Sequence, residues 1–364
     1  MSDPLQPSPT EPEPSERSAP APPPPASASL PPVDPSSAGA APTASKSMQP
    51  VQRLYEAIRE QLRKVYVGQD ELLQGTLTAL FSGGHVLIES VPGLGKTLFV
   101  RTLGRVLGCP FGRVQFTADL MPSDITGAPV YDMKESEFRF RPGPIFTQIL
   151  LADEINRSPA KTHAALLEVM QEYCVTVDGT SHAVPRPFLV MATQNPLESE
   201  GTYNLPEAQL DRFMFKLRVD YPTAEEEREI LKLHSLQVDL NRRLREEVQA
   251  VTDPQRLQTA MGLCGAVTVT ETLTDYMNQI VRSTRSWPAF YLGASPRAGI
   301  ALMQASRTLA AFAGRDFATP DDVADIALPV LRHRVQLTAE SEVEGRSVDA
   351  ELSTMMQSIA VPRS

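Results

Sequence analysis

The sequence lacks a long apolar run, a cysteine cluster and a surplus of positive charge. None of its apolar runs approaches the roughly 20 residues that span a bilayer, which excludes a membrane-spanning helix. The opening segment "MSDPLQPSPT" has neither the basic start nor the apolar stretch of a signal peptide. Cys109, Cys174 and Cys264 lie far apart without metal or disulfide spacing, so we interpret each as a small buried hydrophobe. These absences predict a protein of the reducing cytoplasm.

The charge balance is acidic, with a formal net charge of −10 and a pI of about 5.2. Nucleic-acid binding favours basic patches, so the balance argues against it in bulk. It leaves room for a local basic channel in an oligomer. With 364 residues, 41% of them hydrophobic, the chain can form one large domain or two smaller ones.

Residues 1–47 consist largely of Pro, Ala and Ser, as in "APPPPASASLPPVDPSS". Such a segment cannot bury enough apolar surface to offset the entropy of ordering, so we predict a disordered tail. The proline runs suit a reader of polyproline helices. An inert spacer is the alternative.

The folded part is predicted to start near Met48 with an α/β domain over 48–220. Val51, Leu54, Ile58 and Leu62 recur at helical spacing, which indicates an amphipathic first helix. Strand-like runs then alternate with helical segments. These runs are almost unbroken in their apolar character, as expected of parallel strands covered on both faces.

The pattern changes to helices after residue 220, which predicts a helical domain over 221–336 and a tail over 337–364 with a short helix. Thr223 and Glu226 form a capping box before an acidic helix. Thr319 and Pro320 open another helix, with proline at the first position. No segment between 222 and 335 has a convincing strand pattern.

The segment "LIESVPGLGKTLF" resembles a phosphate loop with one residue changed. The pattern G-x-x-x-x-G-K-[ST] fits Gly95, Lys96 and Thr97 but has Ser90 at the first glycine position. An apolar strand precedes it and a helix follows, so backbone N–H groups at the helix start would face an anion. Lys96 would reach the phosphates, and the Thr97 hydroxyl would bind Mg²⁺. The alternative is an ordinary glycine-rich turn with Lys96 solvated.

Polar side chains end two further strands. Asp153 and Glu154 follow the apolar run "ILLA", where adjacent carboxylates are costly unless something there uses negative charge. Asp153 would hold Mg²⁺, and Glu154 would orient or deprotonate a water. Asn195 in "MATQNP" can donate to a phosphate and accept from that water. The alternatives are a solvated strand end for the carboxylates and an Asn-Pro turn for Asn195.

Two arginines complete the predicted site. In "GASPRAGI", Ser295 is a candidate N-cap and Arg297 falls in the first helical turn, where a cation opposes the helix dipole unless a phosphate is nearby. Arg212 lies just before the last strand, and it could stabilise charge at a neighbouring subunit's phosphate. An exposed side chain is the alternative for Arg297. For Arg212 it is an ion pair with Asp211 or Glu207.

Together these residues make the chain resemble an AAA+ ATPase, and specifically one of the MoxR family. The resemblance covers about 48–336 with the motifs in family order. "VPGLGKT" resembles Walker A, "LLADEINRSPAKTHAALLEVMQE" the Walker B region, "ATQNP" sensor 1 at Asn195, "LPEAQLDRFMF" the arginine-finger segment at Arg212, "GASPRA" sensor 2 at Arg297, and "VGQDELL" the segment near the adenine.

The resemblance implies a fold and a ligand set. The fold is an α/β P-loop NTPase with a five-stranded parallel sheet of order 5-1-4-3-2 and a C-terminal all-α lid. The ligands are ATP and Mg²⁺, with Thr97 and Asp153 at the metal and Glu154, Arg212 and Asn195 as catalytic residues. The residues expected to bind the nucleotide are Val91, Pro92, Gly93, Leu94, Gly95, Lys96, Thr97, Leu98, Arg297, Val67 and Gly68.

The resemblance also implies partners. The family forms rings, usually hexamers, and acts like chaperones on protein clients, often beside proteins with von Willebrand factor A domains. Residues 116–144 match an extension inside the family's second helix, and 174–188 match a hairpin before sensor 1. Both would face the centre of the ring, with surface decoration as the alternative. Val175 and Val177 followed by Asp178-Gly179 already predict the hairpin.

Two other functions stay open from the sequence. One is a different AAA+ machine, such as a chelatase-type subunit or a DNA-linked motor, although the acidic charge argues against the motor. The other is a scaffold that binds ATP and scarcely hydrolyses it, against which the Asp153–Glu154 pair argues. Ser90 is predicted at an extended, negative-φ position, where the loop folds normally and the serine narrows the pocket or adds a hydroxyl contact.

Overall fold

The structure is a computed structural model that describes residues 47–91, 93–196, 202–235 and 240–362. The predicted disordered tail up to residue 46 and the site residue Pro92 lie outside the described residues. Across the part that is described, no helix is both long and apolar enough to cross a membrane.

Strands and helices alternate up to residue 219, and helices dominate afterwards. The strands are β1 Val86–Ser90, β2 Phe111–Gln115, β3 Gly127–Asp132, β4 Glu137–Pro142, β5 Ile149–Asp153, β6 Cys174–Val177, β7 Thr180–Ala183, β8 Leu189–Gln194, β9 Phe215–Val219, β10 Phe290–Leu292 and β11 Gln336–Leu337. The helices are α1 Gln49–Arg63, α2 Asp70–Phe81, α3 Lys96–Leu107, α4 Pro122–Thr126, α5 Ala160–Glu172, α6 Glu207–Leu210, α7 Ala224–Ser235, α8 Leu240–Glu246, α9 Pro254–Gly265, α10 Glu271–Ser286, α11 Pro296–Phe312, α12 Pro320–Leu331, α13 Ala339–Val343 and α14 Val348–Gln357, with a 3-10 turn at Ile155–Arg157.

The central sheet has five parallel strands in the order β2-β5-β8-β1-β9. The labels differ from those of the predicted order because the hairpin strands are numbered too. Counted alone in chain order and read from β9, the sheet strands run 5-1-4-3-2, so the prediction is confirmed. All five strands end at one edge of the sheet, here named the carboxyl edge, and begin at the opposite amino edge.

Apolar side chains cover both faces of this sheet. Along β1, Val86 and Ile88 belong to one buried cluster and Leu87 belongs to another, because successive side chains of a strand point to opposite faces. Burial on both faces accounts for the unbroken apolar runs in the sequence. The cluster that contains Val86 continues without a break into the helices of the lid, among them α10, α11 and α12.

Both predicted insertions contain hairpins. The first has only a short helix, α4, and then the antiparallel pair β3–β4 rather than a longer helix. The second is the predicted hairpin, β6–β7, with Asp178 and Gly179 at φ 47° and 76° in the turn. The rings of Phe140 and His182 stack with centroids 4.0 Å apart, so the two hairpins contact each other.

The lid differs from the prediction in one element and its C-terminal end is more ordered than expected. The absence of a strand between 222 and 335 is wrong, because β10 pairs with β11. Three residues are too few to show a strand period in the sequence. Beyond residue 336 there are two helices instead of one. Leu352 and Met355 of α14 are fully buried, and the helix packs on α10 and α12.

Candidate active site

The predicted phosphate loop joins β1 to α3 at the carboxyl edge. β1 ends at Ser90 and α3 begins at Lys96, as expected. Gly95 is the N-cap residue of α3 with φ 73°, a left-handed conformation that favours glycine. The first N–H groups of a helix have no carbonyl partner within it, so the start of α3 is suited to bind an anion.

Ser90 contacts the lysine of the loop. The Lys96 ammonium donates to Ser90 Oγ at 2.7 Å and to the Val91 carbonyl at 3.3 Å. Ser90 is 2% exposed and lies in the strand rather than at a positive φ, as predicted. Burial lowers the pKa of Lys96, while the Asp153 and Glu154 carboxylates act to raise it. The serine therefore adds the hydroxyl contact that the sequence analysis considered.

The Asp153 carboxylate lies between β2 and β8, the neighbours of its own strand. Its Oδ2 accepts from Arg113 at 2.7 Å, and its Oδ1 accepts from the Thr193 hydroxyl at 2.6 Å. The Asp153 side chain is only 13% exposed. A buried carboxylate needs such partners, so Arg113 and Thr193 stabilise its charge where no cation is bound.

Glu154 has an unusual backbone and a fully engaged side chain. Its φ is 56°, which costs about 1 kcal/mol for a residue with a Cβ and occurs often at functional sites. The Thr193 hydroxyl accepts from its N–H at 2.9 Å. Its carboxylate accepts from Gln115 at 2.7 Å and pairs with Arg157 at 3.1 Å. These contacts aim the side chain along the carboxyl edge.

Asn195 follows the last residue of β8 and so reaches the same edge as Asp153. Three polar residues at this edge were missed from the sequence: Arg113, Gln115 and Thr193. Arg113 and Gln115 are two positions apart on an edge strand, so their side chains share a face. That alternation was the available signal, but the partner of β2 could not be read from it.

A pocket lies beside the phosphate loop. It has a volume of about 180 Å³ and is lined by Val65, Tyr66, Val67, Gln69, Gly93, Leu94, Gly95, Leu98, Pro222 and Ile230. The predicted base-binding residue Val67 and the loop residues thus border one cavity. Gly68 lies beside it with φ 73°, and a Cβ there would be 2.2 Å from Glu226 Oε1. Glu226 also forms the predicted capping box with Thr223.

The donors near the loop suit Mg²⁺ rather than a metal held by protein alone. Among the described residues no group of three or more His, Cys, Asp or Glu could hold a metal. Mg²⁺ prefers oxygen donors and is commonly bound by one or two protein groups together with substrate phosphates. The Thr97 hydroxyl and the Asp153 carboxylate are donors of that class, so the residues fit the ion.

Arg212 lies at the amino edge, just before β9. Among the described residues, its buried Nε has no hydrogen-bond partner and no ion pair involves Arg212. The expected alternative partners are engaged elsewhere: Glu207 accepts from Gln336, and Asp211 accepts from Arg334. The ion-pair alternative for Arg212 therefore finds no support.

Arg297 lies at the amino edge and not beside the phosphate loop of its own chain. Ser295 caps α11 and accepts from the Arg297 N–H at 3.2 Å, as predicted. The Arg297 guanidinium, however, lies 4.0 Å from Asp211 Oδ2 and lines one cavity with Arg212 and His85. The five residues of β1 separate this cavity from Ser90 by about 16 Å. The sequence does not show this position, because it depends on how the lid packs on the sheet. The predicted role of Arg297 at a nucleotide stays a prediction.

Comparisons with known proteins match both halves of the chain. Residues 85–215 match the profile of the ATPase family associated with various cellular activities (AAA), and residues 282–355 match that of the AAA lid domain. The chain is 46% identical over 303 residues to the uncharacterised protein YeaC of Bacillus subtilis, covering 83% of this chain and 93% of YeaC. It is 44% identical over 324 residues to the chaperone MoxR1 of Mycobacterium tuberculosis, and the match covers 86% of this chain and 83% of MoxR1.

Two further comparisons agree with these. The protein MoxR of Methylorubrum extorquens is 31% identical over 312 residues, covering 80% of this chain and 90% of that protein. A crystal structure from Cytophaga hutchinsonii, provisionally described as an ATPase, superposes with a TM-score of 0.81 at 37% identity. It covers 87% of this chain and 98% of its own.

Proposed function

Because this chain belongs to the MoxR family of AAA+ ATPases, we propose that it hydrolyses ATP at a site shared between two copies in a ring. The observation that carries this proposal is the separation of two half-sites. The phosphate loop and carboxylates lie at the carboxyl edge, whereas Arg212 and Arg297 lie at the amino edge. Arg212 and Arg297 of one copy therefore do not lie beside the phosphate loop of that copy.

The carboxyl edge binds the nucleotide in this proposal. Backbone N–H groups from Gly93 to Leu98 and the Lys96 ammonium hold the phosphates, Val91 and Pro92 shape the loop before them, and Val67 and Gly68 border the base. Thr97 and Asp153 hold Mg²⁺, which supplies charge neutralisation at the phosphates when bound. Glu154 orients the attacking water and accepts its proton, and Asn195 holds that water against the γ-phosphate.

The amino edge serves the neighbouring copy. Arg212 and Arg297 are close enough to line one cavity, and 50% of the Arg297 side chain is exposed. Two cations at one surface fit the spread charge of a phosphoryl group in transfer, which is stabilised mainly by positioned positive groups. A head-to-tail contact between copies would bring this surface to the next phosphate loop, and repeated contacts of that kind close into a ring.

The wider role proposed is chaperone-like remodelling or maturation of protein clients in the cytoplasm. The relative named chaperone MoxR1 supports this, and a partner with a von Willebrand factor A domain is proposed from the family resemblance. The two contacting hairpins are proposed to face the ring's centre. We propose domain boundaries near residues 220 and 336, with the segment after 336 packed on the lid.

Glu154→Gln tests the proposed reaction. The amide keeps the shape of the side chain but cannot take a proton, so turnover should fall by at least about 100-fold. ATP affinity should stay within about threefold of the wild type, because no binding contact to phosphate is lost. Phosphate release and binding of a fluorescent ATP analogue measure the two. Glu168→Gln, on the exposed face of α5, is the matched control.

The outcomes separate the alternatives. Near-wild-type phosphate release by Glu154→Gln contradicts the mechanism. If the wild-type protein binds ATP but releases no phosphate in a steady-state assay, it is the scaffold that binds ATP and scarcely hydrolyses it. Stimulation by DNA that weakens as salt rises identifies a DNA-linked motor. Light scattering with and without ATP measures whether copies assemble, and a monomer in both conditions contradicts the shared site.

A further inference from the structure

We propose that Asp211 and Arg334 are positioning residues that hold Arg212 and Arg297 together as one unit for the neighbouring copy. The inference rests on the proposed function, because it concerns the arginines of the shared site. It adds two residues that neither touch the phosphate nor lie in the phosphate loop. Both act through the arginines that they hold.

Arg334 fixes the backbone on both sides of Arg212. Its Nη2 donates to the Asp211 carbonyl at 3.2 Å and to the Phe213 carbonyl at 2.6 Å, the residues that flank Arg212. Its Nη1 donates to the Met214 carbonyl at 3.0 Å and also to the Val330 carbonyl of α12, the helix that ends just before Arg334. The Arg334 side chain is only 3% exposed. A buried guanidinium with all these acceptors has little freedom to turn toward a ligand.

Asp211 joins the same unit to the helix that carries Arg297. Its Oδ1 accepts from Arg334 Nε at 2.8 Å, and its Oδ2 accepts from the Ser295 hydroxyl at 2.9 Å. Ser295 is the N-cap of α11, so the carboxylate is tied to the first turn of that helix. Arg297 in this turn lies 4.0 Å from the same Oδ2. One carboxylate therefore connects the turn after α12, the start of α11 and the Arg212 segment.

In this arrangement the backbones of the two outer arginines are fixed, and only the ends of their side chains can move. The Arg212 backbone is held by Arg334, and the Arg297 backbone is held by its N-cap. Transition-state charge is stabilised by groups that are in place before the reaction, and a misplacement of about 1 Å costs about 100-fold in rate. Loss of either positioning residue should therefore slow hydrolysis at the neighbour's site and leave ATP binding at its own site unchanged.

Asp211→Asn is the first test. It removes the charge that Arg334 and Arg297 face and retains an oxygen for Ser295. Turnover should fall by about 100-fold, with the Kd of the fluorescent ATP analogue within about threefold of the wild type. Arg334→Lys, which cannot reach all the carbonyls, should behave alike. The control is Arg315→Lys in the Arg315–Asp322 ion pair of 2.7 Å, because that pair lies in the lid away from Arg212. It should keep turnover within about twofold.

Mixed rings separate positioning from a merely structural role. Asp211→Asn subunits keep a whole phosphate loop, and Glu154→Gln subunits keep whole arginines. Co-expressed in equal amounts and purified through two tags, they should recover about a quarter of wild-type turnover, because about a quarter of random interfaces combine the intact halves. Either variant alone stays inactive. Arg334→Lys with Glu154→Gln should recover in the same way.

Three results overturn the inference in distinguishable ways. If Arg212→Ala with Glu154→Gln recovers activity but the Asp211 and Arg334 variants do not, these residues are structural and the shared site stands. If Arg212→Ala with Glu154→Gln also stays inactive, the shared site itself is wrong and the inference falls with it. Weakened ATP binding by Asp211→Asn would likewise place its effect in its own site and contradict the proposal.

Discussion

The two edges of the central sheet bear charged groups that are held in opposite ways. At the carboxyl edge, two charged groups contact protein groups that a ligand would replace in the proposed site: Lys96 donates to Ser90, and Asp153 pairs with Arg113. The Arg113 side chain is 45% exposed. At the amino edge, Arg334 is buried and its donors are spent on carbonyls and a carboxylate.

The difference shows which half of the proposed site changes when ATP binds. In the proposed mechanism a nucleotide and its ion would compete with Arg113 for Asp153 and with Ser90 for Lys96, so we expect the carboxyl edge to rearrange. Within the residues that the structure describes, the amino edge has no contact that a phosphate needs to break at Arg212, whose Nε has no hydrogen-bond partner there. We therefore expect substitutions at the amino edge to change the rate of hydrolysis alone. At the carboxyl edge we expect substitution of a group that contacts phosphate, or that competes with phosphate for such a group, to change the ATP affinity as well.

The largest effect is expected for Arg212→Ala. An arginine of this kind contributes about 10³- to 10⁵-fold to the rate, so turnover should fall in that range while ATP affinity is kept. Arg297→Ala should also lower the rate without weakening ATP binding to dilute, unassembled protein. Phosphate release and titration with a fluorescent ATP analogue measure both. Arg256→Ala, whose side chain is 79% exposed on α9, is the control. Weaker ATP binding by the dilute Arg297→Ala variant would show that Arg297 acts at the nucleotide site of its own subunit.

Acid should lower the free energy of unfolding through His85, which lines the cavity at the amino edge. Its Nδ1 accepts from the Val190 N–H at 3.0 Å, so Nε2 carries the proton and donates to the Met170 carbonyl at 3.1 Å. Burial lowers the pKa of His85 from 6.5 to about 4. The unfolded chain therefore takes up a proton first as pH falls. The stability from neutral His85 is complete above pH 6.5 and is lost toward pH 4.

The free energy of unfolding in urea measures this effect. Between about pH 7 and about pH 5, the His85 contribution should fall by about 2 kcal/mol. His85→Asn should be less stable at neutral pH and show a pH dependence smaller by that amount. His182→Asn, on the β6–β7 hairpin, is the matched control and should retain the wild-type slope. An unchanged slope in His85→Asn would show that other groups account for the acid effect.

The smallest effect is expected at Ser90. Ser90→Ala removes the acceptor that competes with phosphate for Lys96, so ATP should bind up to about tenfold more tightly, or about 1.4 kcal/mol. Ser90→Gly should show the same gain, and Ser90→Thr, which retains a hydroxyl, should bind as the wild type does. Calorimetric titration with Mg-ATP measures the affinities. Equal affinity in Ser90→Ala and the wild type would mean that Ser90 stays bound to Lys96 beside the nucleotide.

The sequence predicts the carboxyl edge better than the amino edge for a physical reason. Lys96 and Thr97 are placed by a short loop, and Asp153 ends its own strand. Local sequence spacing is therefore enough to predict their positions at this edge. Arg113 contacts the site only because β2 pairs with β5, and their register brings the Arg113 side chain to Asp153. Arg334 lies more than a hundred positions after Arg212, and only the packing of the lid brings them together.

The same distinction holds for the fold. Sheet order and helix caps are confirmed, since apolar runs and residues such as Thr223 and Ser295 have strong local patterns. The missed strand β10 has three residues and exists only because Gln336 and Leu337 lie beside it. The position of Arg297 depends on how the lid meets the sheet, which no local pattern contains.

The continuous apolar cluster between the sheet and the lid restricts how a subunit can move. Opening a hinge between the two halves would expose buried side chains such as Phe312 of α11, whose ring contacts those of Tyr55 and Phe81, at about 25 cal/mol for each Å² of apolar surface. Each copy should therefore turn as a single rigid block when ATP is gained or lost. Movement in the proposed ring would arise as neighbouring subunits tilt against each other. Force on a client would then be transmitted through the contacts between subunits.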